Sequence, residues 1–361
     1  MAHQNLLKLK EYAIRKLRIR GLLLFCVETI RSPQCGWLLF KRYILGRPAI
    51  LVCRRGGIGD IVATLPAIAT LRQQAPYPLI IYETRQLNVA LLKCCSVVDL
   101  VVEENTDLAV YCRRFLRPAS SFRPQLPDER SPREPRGNRH IVDEFRKSFN
   151  LAILQKHSAY FCVSGKAQKE VRRRLRAVGI QNKPLVVIHT GPTWQVKEWP
   201  AENWQKLVAR LVSELGVEVV QVGQDTCATG ESRLSCRVEG AVNWVGKLTI
   251  EQTLALLKVT DLLVGIDSGM IHLAGAVSTP CVGLFGPTMP NSYLPQESPA
   301  AGVTANVPCL GCHHHAEGQK HWEKGCPNDI CCMSELSVDE VFLACKKLLS
   351  RRLESLPFHT V

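Results

Sequence analysis

The sequence predicts an α/β protein built from two Rossmann-like domains whose parallel sheets face each other across a cleft. Short apolar runs that end in polar or glycine-rich loops alternate with segments whose apolar residues recur at helical spacing. This alternation is typical of parallel sheets covered by helices, and it occurs twice, on either side of residues 165–184. The predicted strands are 49–53, 79–82 and 97–102 in the first series, and 185–189, 217–223, 262–267 and 281–286 in the second.

The length and composition restrict the class of protein. A chain of 361 residues is long enough for two domains, and 46% hydrophobic with 22% charged residues excludes global disorder. No apolar run approaches the roughly 18 residues that cross a bilayer. The short apolar run at 21–27 is not followed by a small-residue cleavage pattern, so we expect no signal peptide and a cytoplasmic location.

Changes in composition divide the chain further. Five prolines and little apolar sequence predict a mobile Arg/Pro loop at 113–140, and Thr249 with Gln252 predicts a capping box at the start of a helix. Cysteines concentrate between residues 309 and 332. The predicted segments are an N-terminal extension at 1–48, a first domain at 49–180, a second domain at 181–335, and a C-terminal helix and tail at 336–361.

The net charge of +14 is concentrated in two segments, because residues 1–48 carry a net +8 and residues 113–140 a net +5. Within 5–20, apolar residues recur at helical spacing between cations, which indicates an amphipathic helix on an anionic membrane surface or a helix packed on the body. The rest of the chain is near neutral, so we expect no basic face on the folded core and no nucleic-acid partner.

A glycine-rich loop, Arg54-Arg-Gly-Gly-Ile-Gly-Asp60, follows the first strand and opens a helix. It lacks both the Gly-Lys-Ser/Thr ending of a Walker A loop and the spacing of a dinucleotide fingerprint. Gly57 and Gly59 would let the backbone approach a ligand closely. Asp60 stands where it would either take a proton from a hydroxyl in the cleft or cap the helix.

Two loops of the second series carry further candidate residues. Lys197 follows the strand at 185–189 and would reach an anion at the strand tip, or lie solvated on the surface. Ser268 and Gly269 place a hydroxyl and backbone N–H groups at a helix N-terminus, which is a ready anion site. Asp267 would bind sugar hydroxyls or cap that helix, and His272 lies one turn further on, facing the same site or buried in the core.

Taken in order, these motifs resemble glycosyltransferase family 9, the heptosyltransferases of lipopolysaccharide core assembly, which have the GT-B fold. The resemblance covers about residues 49–350. It implies inverting transfer of a heptose from a nucleotide-activated donor, typically ADP-heptose, to a core sugar hydroxyl. The motifs that carry it are Gly59-Asp60 with Thr64-Leu-Pro-Ala67, Lys197-Glu-Trp-Pro200, and Asp267-Ser-Gly-Met-Ile-His272 with Phe285-Gly-Pro-Thr288.

The resemblance also implies roles for individual residues. Asp60 becomes the catalytic base in an acceptor-binding first domain, with Gly57 and Gly59 on the acceptor-side loop. Segment 244–248 would lie against the nucleotide base. No cofactor is implied for catalysis. The residues implied in donor binding lie in or near the second domain's loops, and they are Thr193, Lys197, Asp225, Asp267, Ser268, Gly269 and His272.

The cysteine cluster at 309–332 has the spacing of a metal knuckle. A four-thiolate zinc or iron site would consist of Cys309, Cys312, Cys326 and Cys332, with Cys331 as the alternative fourth ligand. The alternative interpretation is a set of reduced thiols that bind no metal. Some members of the resembled family carry a cysteine finger that binds iron.

The predicted partners are a nucleotide-sugar donor, an anionic lipid-linked saccharide acceptor and the cytoplasmic face of the inner membrane, where the chain would be peripheral. Two alternatives remain open at this point. The chain could transfer heptose to a protein, as autotransporter-type enzymes do, or transfer another sugar. It could also be a catalytically silent binder of sugar nucleotides.

Overall fold

The computed structural model describes residues 33–74, 77–126, 139–155, 160–192, 194–224, 236–314 and 325–354. The predicted amphipathic segment at 5–20 and part of the predicted Arg/Pro loop, residues 127–138, lie outside these ranges. Among the described residues, no helix combines the length and apolar character needed to cross a membrane.

Two parallel sheets organise the chain, as the alternating pattern predicted. The first has the spatial order β3-β2-β1-β4 and the second the order β10-β9-β8-β5-β6-β7. The strands are β1 (Ala49–Cys53), β2 (Leu79–Thr84), β3 (Leu100–Glu103), β4 (Ser120–Phe122), β5 (Leu185–His189), β6 (Glu218–Val222), β7 (Val242–Asn243), β8 (Leu262–Ile266), β9 (Cys281–Phe285) and β10 (Ala300–Thr304).

Helices cover the sheets and connect their strands. The Thr249–Gln252 capping box is confirmed, since both of its hydrogen bonds are present. The helices are α1 (Pro33–Tyr43), α2 (Ile58–Gln73), α3 (Gln86–Lys93), α4 (Asp107–Tyr111), α5 (Ile141–Ser148), α6 (Gly165–Ala177), α7 (Ala201–Leu215), α8 (Ile250–Lys258), α9 (Gly269–Ala276), α10 (Pro290–Tyr293), α11 (Cys331–Ser334) and α12 (Val338–Glu354), with 3₁₀ turns at Gln195–Lys197 and Cys312–His314 and a π turn at Cys112–Leu116.

Helix α2 joins the two halves of the molecule. Every residue from 61 to 71 is buried, because the helix is apolar on all sides and packs between the first sheet and α9 of the second half. Ile61 and Leu65 of α2 share one hydrophobic cluster with Ile271 of α9. This packing brings the start of α2 against the start of α9.

The predicted mobile loop at 113–140 is partly wrong. Residues 120–122 form β4, which pairs in parallel with β1, and Arg113 forms an ion pair with Glu83 of β2. A three-residue strand is too short to show a period in the sequence. The two-residue β7 was missed for the same reason. The five-residue edge strand β10, Ala-Ala-Gly-Val-Thr, was missed because its small residues do not form an apolar run.

The predicted absence of a basic face on the core is also wrong. Helix α6, Gly-Lys-Ala-Gln-Lys-Glu-Val-Arg-Arg-Arg-Leu-Arg-Ala, presents most of its cations to solvent. The net charge of the chain outside the two basic segments is near zero because acidic residues elsewhere offset the charge of these cations. Those acidic residues that the structure describes do not pair with the exposed side of α6. Helix α6, from the predicted first domain, packs on α8 of the predicted second domain. The domain boundary at residue 180 stays a prediction.

Candidate functional site

Asp60 lies at the third position of α2, where both predicted roles meet. Its Oδ2 accepts a hydrogen bond from the Gly57 backbone N–H at 2.8 Å, which makes it a cap of the helix. Its Oδ1 lies 3.1 Å from a terminal nitrogen of Arg54, and the side chain is 24% exposed. A carboxylate fixed by two donors yet open to solvent can still accept a proton from a bound hydroxyl.

Arg54 is a site residue that sequence reasoning missed. Its side chain is 5% exposed, donates to the Pro124 carbonyl at 3.1 Å, and has its guanidinium carbon 5.0 Å from the Phe145 ring centre. A buried, packed guanidinium beside one carboxylate holds that carboxylate in a single orientation. The available signal was a charged residue directly after a buried strand.

Of the two site glycines, Gly59 makes room for protein rather than for a ligand. A Cβ on Gly59 would lie 2.7 Å from Cδ2 of His272, so only glycine allows α2 and α9 to meet there. A Cβ on Gly57 would approach an Asp60 oxygen no closer than 3.9 Å, so packing does not require glycine at that position.

Lys197, Asp267 and Thr288 form a buried polar cluster at the carboxyl ends of β5, β8 and β9. Lys197 Nζ donates to Asp267 Oδ2 at 2.5 Å, and Thr288 Oγ1 donates to the same oxygen at 2.6 Å. Burial raises the pKa of Asp267, but the Lys197 charge and these hydrogen bonds outweigh it and hold that pKa below its ordinary value. Of the two positions predicted for Lys197, the structure thus shows one that is not solvated on the surface, since its side chain is 13% exposed and pairs with Asp267. Thr288 joins the candidate residues.

Helix α9 begins beside this cluster. Ser268 is its N-cap, and its hydroxyl accepts from the Met270 N–H at 3.3 Å. Gly269 lies against Ile58 of α2, since a Cβ there would meet the Ile58 Cβ at 2.8 Å. The N-terminus of α9 and the start of α2 thus form one junction between the two sheets.

His272 is 8% exposed and lies at this junction. Burial lowers its pKa to about 4, and the carboxylates of Asp267 and Asp60 oppose this only in part. The imidazole is therefore neutral near pH 7, so His272 can hydrogen-bond a substrate but does not add positive charge to an anion site.

This buried imidazole makes stability depend on pH. Its pKa is 6.5 when unperturbed and about 4 in the folded chain, so the unfolded chain binds more protons between these values. The His272 contribution, about 3 kcal/mol, is complete above pH 6.5 and is lost as pH falls toward 4. We expect His272→Asn to flatten that part of the curve in urea unfolding at pH 7 and pH 5.

His189 supplies the comparison for this measurement, because burial also lowers its pKa. His189→Asn should remove a separate share of the pH dependence, and the double variant should remove both. A His272→Asn variant whose unfolding free energy keeps the full slope of the original chain would contradict the assignment.

The remaining donor-site predictions have mixed outcomes. Thr193 and Asp225 lie outside the described residues. Segment 244–248 follows β7, but Trp244 is 6% exposed and belongs to the hydrophobic core. Its ring therefore serves packing, and contact of this segment with a nucleotide base stays a prediction.

The cysteine cluster brings its thiols to one place. Cys309, Cys312, Cys326 and Cys332 line one small cavity, and the Cys309 and Cys331 sulfur atoms are 3.7 Å apart. All five are free thiols, and within the described ranges no group of three or more side chains has a geometry that could hold a metal ion. The donor chemistry suits zinc or iron, but the arrangement of a closed tetrahedral site is not present.

The cluster adjoins the loop that carries Thr288. The His313 N–H donates to the Pro287 carbonyl at 2.8 Å, and His314 Nε2 accepts from the Met289 N–H at 3.0 Å. His313 and His314 therefore stabilise this loop. The cysteine cluster therefore packs against the loop that carries Thr288 and lies next to the candidate site.

Comparison with known proteins identifies the family. The family model described as glycosyltransferase family 9 (heptosyltransferase) matches residues 120–323, more than half of the chain. The chain belongs to glycosyltransferase family 9.

The relatives of this family member include enzymes named for lipopolysaccharide and an enzyme named for autotransporters. Lipopolysaccharide heptosyltransferase 1 of Pseudomonas aeruginosa is 27% identical over 36% of this chain and 36% of that protein. Autotransporter heptosyltransferase TibC of Escherichia coli O78:H11 is 32% identical over 45% of this chain and 40% of its own length. Lipopolysaccharide heptosyltransferase 3 of Escherichia coli K12 is 26% identical over 64% of this chain and 65% of that protein. The matches thus span between about a third and two thirds of these relatives.

Solved structures show the fold of this family member. A family 9 glycosyltransferase from Veillonella parvula superposes with a TM-score of 0.66 at 18% identity, covering 84% of this chain and 97% of that one. The iron-containing dodecameric TibC of Escherichia coli H10407 superposes with a TM-score of 0.61 at 19% identity, covering 85% of this chain and 77% of that one. The predicted GT-B architecture is confirmed.

Proposed function

We propose that this family 9 member is an inverting glycosyltransferase that moves a heptose from ADP-heptose to a sugar hydroxyl of a lipopolysaccharide core acceptor. The observation that carries the proposal is the junction at Gly59 and His272. It brings the Asp60 carboxylate of one half beside the Lys197–Asp267–Thr288 cluster of the other. Family membership supports the reaction class, and the names of the relatives support the sugar and the acceptor.

Asp60 would act on the acceptor. Its carboxylate takes the proton of the attacking hydroxyl as that oxygen bonds to the anomeric carbon from the face opposite the leaving diphosphate. Attack from the opposite face inverts the configuration at that carbon. The Gly57 N–H and Arg54 hold the carboxylate in place, and its side chain stays 24% exposed, so it can still accept the proton.

The second half would stabilise the leaving group. Negative charge builds on the nucleoside diphosphate as the sugar departs, and the Lys197 ammonium with the N-terminus of α9 supplies positive potential near it. Asp267 holds Lys197 in place and would bind donor sugar hydroxyls with its remaining lone pairs. These charges come from the protein, so the proposed reaction needs no cofactor.

Nucleotide binding tests this proposal most directly. In thermal-shift measurements with ADP, UDP, GDP and CDP, we expect ADP to give the largest rise in unfolding midpoint. Lys197→Ala should reduce that rise, judged against the unliganded midpoint of the same variant. Lys206→Ala, an exposed lysine on α7, should keep it. No rise with any nucleotide would contradict the proposed donor.

A protein acceptor is the second candidate. It is favoured by the similarity to the autotransporter enzyme TibC and by the clustered thiols. Radiolabelled ADP-heptose offered with a lipid-linked core saccharide and, separately, with an autotransporter passenger domain distinguishes the two. Label on the saccharide alone supports the first candidate, and label on the polypeptide alone supports the second.

We also propose a structural zinc or iron held by Cys309, Cys312, Cys326 and Cys332, with Cys331 as the alternative fourth ligand. The soft donor set and the iron in TibC support this. Protein purified under reducing conditions should contain about one metal ion per chain by mass spectrometry. Cys312→Ser should lower both the metal content and the unfolding midpoint, whereas Cys162→Ser on the exposed surface should change neither the content nor the midpoint. Metal-free protein with an unchanged midpoint would contradict the site.

The proposed acceptor sets the proposed location, a peripheral position at the cytoplasmic face of the inner membrane. A lipid-linked saccharide lies at a bilayer surface, and the basic extension at 1–48 carries a net charge suited to anionic headgroups. Deleting residues 1–46 should weaken binding to anionic vesicles in a salt-dependent way. Unchanged binding would contradict a role of the extension.

A further inference from the structure

Helix α6 carries a basic surface that the proposed reaction does not use. Its thirteen residues include six lysines and arginines and a single carboxylate, Glu170. This is a strong local excess of positive charge on the folded part of the molecule.

The cations lie on one side of the helix. The opposite side is buried through Ala167, Val171 and Leu175, which pack toward α8. Because residues three, four and seven apart share a helix face, the exposed cations form a continuous row. We call this row the α6 basic face, and it consists of Lys166, Lys169, Arg172, Arg173 and Arg176.

Little of this charge is neutralised within the protein. Glu170 pairs with Arg173 at 2.8 Å and with Arg174 at 2.7 Å. For the other four members of the face, no carboxylate lies within ion-pair distance among the residues that the structure describes. Like charges at this spacing destabilise a helix, so folding stability does not account for the row.

The face lies beside the edge that carries the candidate site. Arg174 donates to the Lys247 carbonyl at 2.8 Å, and the Ser164 N–H donates to Glu251 at 2.9 Å. Lys247 and Glu251 lie just before and at the start of α8. This start is on the carboxyl-end side of the second sheet, where the donor loops also lie.

We propose that the α6 basic face docks the protein on a bilayer with anionic headgroups. A convex helix with an unbroken row of cations fits an extended sheet of negative charge. Nucleic acid fits less well, because α6 has no aromatic side chain on which a base could stack. The proposal deepens the membrane location given above and rests on it.

Vesicle sedimentation with matched variants tests the proposal. The first variant replaces Lys166, Lys169, Arg172 and Arg176 by Gln, which keeps helix propensity and leaves the Glu170 pairs intact. The control removes the same charge from exposed residues of α7 and α12, by Gln at Lys206, Lys346, Lys347 and Arg351. Full-length proteins are mixed with vesicles of phosphatidylcholine containing about 30% phosphatidylglycerol at low salt.

Each basic side chain near such a surface strengthens binding about fivefold. We therefore expect the α6 variant to lose at least about tenfold in partition coefficient and the control to lose clearly less. Equal loss in both variants, or an α6 variant that binds like the original chain, would overturn the proposal. The proposal would also be overturned if the α6 variant lost binding to a DNA duplex but kept its binding to vesicles, since the face would then serve nucleic acid.

The result also separates this inference from the proposed function. If the original chain fails to bind the vesicles, both the membrane location and the docking face are wrong. The ADP-dependent shift in unfolding midpoint, measured on the same proteins, reports on the donor site independently. Its retention in both variants would show that the α6 substitutions act on docking alone.

Discussion

Asp60→Asn is expected to lower kcat for heptosyl transfer by about a hundredfold to ten-thousandfold, because the amide cannot take the proton of the acceptor hydroxyl. The ADP-dependent rise in unfolding midpoint should remain, since Asp60 lies on the half opposite the Lys197–Asp267–Thr288 cluster, where we propose that the donor binds. Single-turnover measurements with ADP-heptose separate the chemical step from donor binding. An Asp60→Asn variant with kcat within about threefold of the original would remove Asp60 as the base.

The control for this variant must separate chemistry from folding. Asn at position 60 can still accept from the Gly57 N–H, but it removes the ion pair between Asp60 and the buried Arg54 guanidinium. Asp339→Asn removes a carboxylate from the first turn of α12, where the side chain is 81% exposed and pairs with Arg210. That variant should keep full activity, and circular dichroism of both variants checks that the fold is retained.

Breaking the Lys197–Asp267 pair is expected to have the largest effect on stability. Lys197→Ala leaves Asp267, whose side chain is 5% exposed, without its cation, and removing one partner of such a pair costs about 3 kcal/mol in the free energy of unfolding. Adding Asp267→Asn to Lys197→Ala should recover part of that loss. Neither single variant nor the double variant should transfer sugar at a useful rate.

A double-mutant cycle measured by urea unfolding gives the coupling energy of this pair. We expect about 2 kcal/mol, because both side chains are largely buried. Lys183 and Glu218 form a matched exposed pair at 3.4 Å, and their coupling should stay below about 0.5 kcal/mol. Equal coupling in the two cycles would show that burial does not strengthen the Lys197–Asp267 interaction.

Several features of the fold followed from local sequence. β1 and β5 have their predicted bounds because each is a continuous apolar run that a glycine-bearing or polar loop ends. The capping box at Thr249 depends only on residues three apart, so it was readable in the same way. β4 was not, since its three residues become a strand only by pairing with β1.

The candidate site shows the same division. Asp60 and Lys197 were found because they follow predicted strands and match ordered motifs. Two contacts were not predicted, that of Arg54 with Asp60 and that of Thr288 with Asp267, since both arise through the packing of separate loops. The glycine at 59 was read as room for a ligand, whereas the approach of His272 explains it.

The sequence by itself determined the two parallel sheets, the loops that follow their strands and the family, because these depend on periodicity and on motifs of a few adjacent residues. Only the tertiary structure decided that Asp267 pairs with Lys197, that His272 is buried and neutral, and that α6 carries a basic face. Charge and burial are properties of neighbours in space. Residues 70 positions apart, such as Lys197 and Asp267, become neighbours only when β5 and β8 pair in one sheet.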